Sequence, residues 1–156
     1  MKCIKMIFAL AVVAGTVVCG QNLLEAQQLQ ADGKLSQRDQ LRIKAQQICP
    51  VSGQKLGNHG QPIKVNVGKE SVYLCCKGCL KSKVDPQHWS TIHGNFAKAQ
   101  HMCPVMKKEL PQKPKWTIVD GRIVYVCCPP CTKKIAADPE TYLSKVDELY
   151  AATLRK

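Results

Sequence analysis

Aromatic residues, acidic residues and long apolar runs are all scarce in this sequence of 156 residues. Two Phe, two Trp and four Tyr are its only aromatic residues, too few large side chains for the core of a conventional large enzyme. After residue 20 no stretch approaches the roughly 20 apolar residues that a membrane span needs. Asp and Glu number 11 against 23 Lys and Arg, for a formal net charge of +12. The ten cysteines are the abundant feature, and they require an explanation.

The first twenty residues have the pattern of an export signal. Two lysines precede an apolar run at 6–18, and small residues follow it. The pattern predicts a signal peptide at 1–20 that is removed before Gln21. The alternative is a lipoprotein signal that ends before Cys19, which would then carry the lipid. Both alternatives predict an exported protein in the periplasm or attached to the envelope.

From residue 48 onward the sequence repeats itself. Each copy has a Cys-Pro-Val segment, a Tyr-x-Cys-Cys-x-x-Cys cluster and an Asp-Pro pair, in that order. The matching segments are 48–51 and 102–105, 72–79 and 124–131, and the Asp-Pro pairs at 85 and 138. The offset between copies stays between 52 and 54 residues. We therefore predict two copies of one module of about 45 residues.

Each copy predicts the same local structure. Alternating apolar and polar residues on both sides of a turn, such as Asp120-Gly121, indicate a β-hairpin whose second strand delivers the Cys-Cys pair. A short helix is expected after each cluster, and a second one begins at Pro86 and at Pro139. In the Gln-rich segment 21–47, Ser36 and Asp39 are spaced as a capping box for one amphipathic helix.

Each module carries four cysteines, and their pattern predicts a metal site. A turn with one cysteine faces a strand end and helix start with three more, which is how small metal domains bring distant thiolates together. The first turn of a helix also favours the thiolate form. The predicted metal ligands are Cys49, Cys75, Cys76, Cys79, Cys103, Cys127, Cys128 and Cys131.

Disulfides are the main alternative, because exported small domains often depend on them. Eight cysteines permit 105 pairings. Adjacent cysteines such as Cys75 and Cys76 pair poorly with each other, however, and three of four cysteines within five residues favour coordination. A redox role for the Cys-x-x-Cys spacing is the third alternative, although no thioredoxin-like βαβ pattern surrounds it.

The order of these motifs resembles the TRASH/YHS-type heavy-metal-binding module, in both copies, as part of an exported bacterial protein. The resemblance implies a role in trafficking, resistance or sensing of copper, zinc or related soft metals. It also implies three ligands per copy, namely Cys49, Cys75 and Cys79, and Cys103, Cys127 and Cys131. Cys76 and Cys128 stand where related modules often have Ser, so the ligand count stays open. Three thiolates would favour Cu(I), and four would suit tetrahedral Zn.

Other residues carry weaker signals. The four histidines lack counterparts in the other copy and are expected at the surface, with His101 the best candidate for an extra ligand. Tyr73 and Tyr125 match between copies, as do Trp89 and Tyr142, and all four are expected in the module cores. The lysines near the clusters are expected to form a solvated surface. No catalytic triad, carboxylate pair or phosphate-binding glycine loop is present, so an enzyme is not expected.

The predicted protein is α+β, with two small zinc-finger-like modules that each combine a cysteine knuckle, a β-hairpin and short helices. The predicted parts are a signal at 1–20, a Gln-rich helical spacer at 21–47, a first metal-binding module at 48–89, a linker at 90–101 and a second module at 102–150. Each module would hold one Zn or Cu(I). The predicted partners are metal ions and a metal transporter or other envelope protein. Nucleic acid is not a predicted partner, because an exported protein leaves the compartment that contains it. Contact with the membrane is predicted only through a lipid anchor. The alternative function is a disulfide-stapled interaction module without metal.

Overall fold

A computed structural model describes residues 35–155 of the chain. The predicted signal at 1–20, the candidate lipid anchor Cys19 and residues 21–34 of the predicted spacer lie outside the described residues. Within the described part, no helix is both long and apolar enough to cross a membrane.

The described chain contains four α-helices, one 3₁₀ helix and two antiparallel hairpins, which confirms the α+β prediction. The helices are α1 (Gln37–Gln46), α2 (Pro86–Gln100), α3 (Pro129–Ala137) and α4 (Pro139–Leu154), and the 3₁₀ helix is Lys77–Lys81. The strands are β1 (Ile63–Val67), β2 (Glu70–Leu74), β3 (Lys115–Val119) and β4 (Arg122–Val126).

Helix α1 begins at the predicted cap. The Ser36 hydroxyl accepts a hydrogen bond from the Asp39 backbone N–H at 3.0 Å and donates one to the Asp39 carboxylate at 2.7 Å. The same carboxylate accepts hydrogen bonds from the Tyr73 hydroxyl and, at 3.0 Å, from Lys64. The capping prediction is confirmed, and the cap also attaches α1 to the first hairpin.

The two hairpins have the same register and different turns. Each pairs five residues with five, from Ile63 opposite Leu74 in the first and from Lys115 opposite Val126 in the second. In the second turn, Asp120 and Gly121 both have positive φ, as the predicted Asp-Gly hairpin requires. In the turn of the first hairpin, only Gly68 has positive φ. All five residues of β2 and of β4 are buried, so the strands that precede the clusters are core strands.

The segments after the two clusters differ. Pro129 and Pro130 occupy the first turn of α3, because proline is preorganised for a helix start. Lys77-Gly78 stand at the equivalent place in the first copy, and only a 3₁₀ turn forms there, since glycine weakens helices. Helix α2 begins at Pro86 behind its Asp85 cap and runs to Gln100, so residues 90–100 of the predicted linker are helical.

The two copies form one compact unit, with the larger core cluster around β4, α2, α3 and α4. The hairpins touch directly, because the Ser71 N–H donates to the Gly121 carbonyl at 2.7 Å. A Cβ atom on Gly121 would lie 2.4 Å from the Ser71 hydroxyl, so this approach requires glycine. Arg42 of α1 donates to the Ser71 carbonyl at 2.6 Å, which adds the first helix to the junction.

Candidate metal centre

The first cysteine of each copy lies in a tight turn. The Cys49 N–H donates to the Gln54 carbonyl at 2.8 Å, and the Cys49 carbonyl accepts from the Gly53 N–H at 3.0 Å. In the second copy the same bonds join Cys103 to Lys108 at 2.8 Å and to Lys107 at 2.9 Å. These turns leave the cysteine side chains directed into the protein, where they are almost fully buried.

A buried glutamine joins each turn to its cluster. The Gln46 amide donates to the carbonyls of Ile48 and Tyr73 at 2.9 and 2.7 Å, and its oxygen accepts from the Tyr73 N–H at 2.9 Å. Ile48 directly precedes Cys49, and Tyr73 stands two residues before Cys75. One side chain thus holds the backbone on both sides of the site.

Gln100 repeats this arrangement in the second copy. Its amide nitrogen donates to the Met102 and Tyr125 carbonyls at 2.8 and 2.6 Å, and its amide oxygen accepts from the Tyr125 N–H at 2.9 Å. Both glutamines are fully buried. The sequence prediction missed them, although Lys-Ala-Gln-x-x-Cys-Pro occurs at 44–50 and at 98–104. The repeat therefore includes the helix before each turn, and α2 both ends the first copy and begins the second.

The structure brings three thiols of the first copy together. The sulfur atoms of Cys49, Cys75 and Cys79 all lie within 4.8 Å of one another, with 3.8 Å between Cys49 and Cys79 and 3.7 Å between Cys75 and Cys79. All three residues are buried. The Ser52 hydroxyl lies 3.4 Å from the Cys75 sulfur, and the sequence prediction did not anticipate this contact.

Three thiols also converge in the second copy. The sulfur atoms of Cys103, Cys127 and Cys131 lie within 4.8 Å of one another. Cys103 and Cys131 are buried, whereas Cys127 is half-buried. The two groups of three, which we call the first and second triads, differ in the exposure of their middle thiol.

Cys76 and Cys128 stand beside the triads. The Cys76 sulfur lies 3.9 Å from that of Cys75 and 4.0 Å from that of Cys79. The Cys128 sulfur lies 3.8 Å from that of Cys127 and 3.0 Å from that of Cys131. Both residues are half-buried. All eight predicted ligand cysteines are free thiols, so the structure contains no disulfide among the described residues.

The triad spacing suits a thiolate metal site. With a metal–sulfur distance of about 2.3 Å, sulfur atoms lie about 3.8 Å apart in a tetrahedral site and about 4.0 Å apart in a trigonal one. The 3.7 and 3.8 Å separations in the first triad match these values without rearrangement. The first triad therefore fits one soft metal ion, and the second triad, whose sulfur atoms lie within 4.8 Å of one another, could hold another.

The thiols of one triad differ in acidity. Burial would raise the pKa of Cys49, but hydrogen bonds from the Ser52 and Cys75 backbone outweigh it and lower the pKa to about 7. Burial and contact with the neighbouring thiols raise the pKa of Cys79 to about 12. Burial also raises the pKa of Cys75. The same pattern holds in the second triad, where the pKa of Cys103 is lowered and those of Cys127 and Cys131 are raised.

These pKa values predict how metal affinity depends on pH. A bound metal must displace the thiol protons, so affinity falls with acidification. Above about pH 7 the Cys49 thiol has already lost its proton, whereas Cys75 and Cys79, whose pKa values are raised, keep theirs. At the first triad, metal binding should therefore displace about two protons above neutrality and about three below it. The logarithm of the metal affinity should rise by the same number for each pH unit.

Chelator competition at pH values between about 5.5 and about 8.5 measures these slopes. A Cys103→Ser variant, in which only the first triad is complete, isolates the first site. The explanation is wrong if affinity does not change with pH, because such a site would bind metal without displacing thiol protons.

The histidines do not join the triads. Within residues 35–155, neither group of candidate ligands includes a histidine. His101, the best candidate in the sequence, is exposed and lies with its Nδ1 atom 3.1 Å from the Thr153 hydroxyl. His93 places Nε2 3.1 Å from the buried carboxylate of Glu70. The lysines that flank the clusters are all exposed, namely Lys77, Lys81, Lys83, Lys107, Lys108, Lys133 and Lys134.

Comparisons of the chain with protein-family models, with curated proteins and with solved structures found no match.

Proposed function

We propose that this protein captures soft heavy-metal ions, copper or zinc, outside the cytoplasm, with one ion at each triad. The observation that carries the proposal is the convergence of three free thiols, twice, at spacings that suit metal–thiolate bonds. Thiolates select soft metals over Mg²⁺ or Ca²⁺. The resemblance of both copies to TRASH/YHS-type modules supports the same class of cargo, and the short knuckle–hairpin–helix units are in keeping with zinc-finger-like modules.

The proposed role is non-catalytic. Each turn and cluster would hold the thiolates in place before the metal arrives, because the Gln46 and Gln100 bridges already join both sides of the site. Two similar sites in one exported chain suit buffering or resistance, or delivery to a transporter or another envelope protein. The exposed lysines around the clusters offset the negative charge that the thiolates add, so the sites do not create a large net anionic surface.

Metal analysis combined with thiol counting tests the proposal. Protein purified after export and without chelators should contain about two copper or zinc ions per chain, and chelation should then release eight reactive thiols in the mature chain. The alternative function, a disulfide-stapled interaction module, predicts no metal and no reactive thiols before reduction. That result would overturn the proposal.

A further inference from the structure

The fourth cysteine of each set, Cys76 or Cys128, touches the triad. Cys76 is more accessible than both thiols it touches, and Cys128 is more accessible than Cys131. Cys49, Cys75 and Cys79 are between 0 and 8% exposed, whereas Cys76 is half-buried. Its sulfur is nevertheless within 4.0 Å of two triad sulfurs. Cys128 is likewise half-buried and in contact with Cys127 and Cys131.

Local structure keeps these two thiols at the surface. Each residue is the N-cap of the helix that follows, in extended backbone conformation, so the next cysteine turns inward. The two residues between each of these cysteines and the next cysteine are exposed, namely Lys77 and Gly78 in the first copy and Pro129 and Pro130 in the second. A ligand that approaches from solvent therefore meets Cys76 before the three buried thiols of the first triad, and Cys128 before the buried Cys103 and Cys131 of the second.

Resting on the proposed function, we propose that Cys76 and Cys128 are exchange ligands that carry the metal between each triad and an incoming thiol or other soft ligand. The metal keeps its oxidation state throughout. A bond from the metal to Cys76 forms as a bond to one triad thiolate breaks, and the proton of the Cys76 thiol passes to the released thiolate. The incoming ligand then takes the metal from the more exposed position.

The same contacts allow a different role, and the two roles predict opposite results. A permanent fourth ligand would strengthen binding, so its removal would weaken affinity and speed release. An exchange ligand lowers the barrier to transfer and contributes little to the bound state, so its removal slows transfer and leaves affinity almost unchanged. The direction of the change in transfer rate decides between the two.

The experiment uses the mature protein loaded anaerobically with Cu(I). Bicinchoninate, a chromogenic bidentate chelator of Cu(I), serves as the acceptor, and transfer is followed by stopped-flow absorbance. The C76S/C128S double variant should bind as much copper as the unaltered protein, with affinity changed less than about threefold and transfer slowed about tenfold. In each single variant, C76S or C128S, about half of the absorbance change should become slow and the other half should keep its original rate. As the matched control, C75S/C127S changes the adjacent residue of each pair and should lose the bound copper.

Alkylation of the unaltered, copper-loaded protein tests the inference without a variant. Iodoacetamide should modify Cys76 and Cys128 and leave the six triad thiols protected, as mapped by mass spectrometry. The alkylated protein should keep its copper and transfer it slowly. Protection of Cys76 and Cys128, faster release from the double variant, or an unchanged transfer rate would each overturn the inference. Failure of the unaltered protein to bind copper or zinc would instead overturn the proposed function.

Discussion

A Cys49→Ser variant should bind about one metal ion where the unaltered protein binds about two, and Cys103→Ser should do the same. Each substitution removes one thiolate from one triad and leaves the other triad complete. Serine can still accept the backbone hydrogen bonds that surround the buried position of Cys49, but its hydroxyl is a poor ligand for soft metals. The double variant should bind none. Metal analysis after gel filtration measures all three stoichiometries.

The two single variants serve as controls for each other, because each keeps one site intact. Thermal unfolding should agree with the metal counts. Free metal at about a thousand times its dissociation constant stabilises a site by about 4 kcal/mol, and each single variant should lose roughly half of the metal-dependent stabilisation. Loss of both ions from either single variant would contradict two separate sites and would indicate one shared centre.

Replacing Gln46 or Gln100 with alanine should cost about 3 to 5 kcal/mol of unfolding free energy. Each side chain is fully buried and makes three hydrogen bonds to backbone groups, which would lose their partners. A cavity would add to the loss. Chemical denaturation of the metal-free protein measures the effect.

The glutamines should also affect metal binding, because each joins the backbone next to the first cysteine to the strand before the cluster. Q46A should weaken the first site more than the second, and Q100A should do the reverse. Gln87 provides the control, since its side chain is exposed on α2 and its truncation should change neither stability nor affinity. Equal losses from Q46A and Q87A would show that the buried bridge contributes nothing specific.

Several elements were predictable because their signals are local. The hairpin turn at Asp120-Gly121, the cap at Ser36 and the proline starts of α2 and α4 are each defined by a few adjacent residues, and the structure contains all of them. The matching aromatic residues were expected to be buried, which is confirmed for Tyr73 and Tyr125, whereas Trp89 and Tyr142 are only partly buried. Local chemistry decides such features, so distant contacts did not alter them.

Other elements depended on distant residues. Residues 90–100 lacked a strong local helix signal, yet α2 continues through them, because Ile92, Phe96 and Ala99 pack into the core formed mainly by the second copy. In the sequence, Gln46 looks like an ordinary polar residue of the Gln-rich segment, and Gln100 looks like an ordinary polar residue of the predicted linker. Their role arises only when helix, turn and strand meet, since a buried amide needs partners from all three.

The sequence alone determined that eight cysteines form two equivalent sets, each placed on a turn and at the end of a hairpin. The residues by themselves did not rank the four thiols of a set, and only the resemblance to TRASH/YHS-type modules singled out three of them. The tertiary structure decided that Cys49, Cys75 and Cys79 converge in the interior while Cys76 stays near solvent, with Cys128 placed alike in the second copy. The reason is physical. Adjacent residues at a strand end point in opposite directions, and only packing against the knuckle and the glutamine bridge determines which direction faces the core.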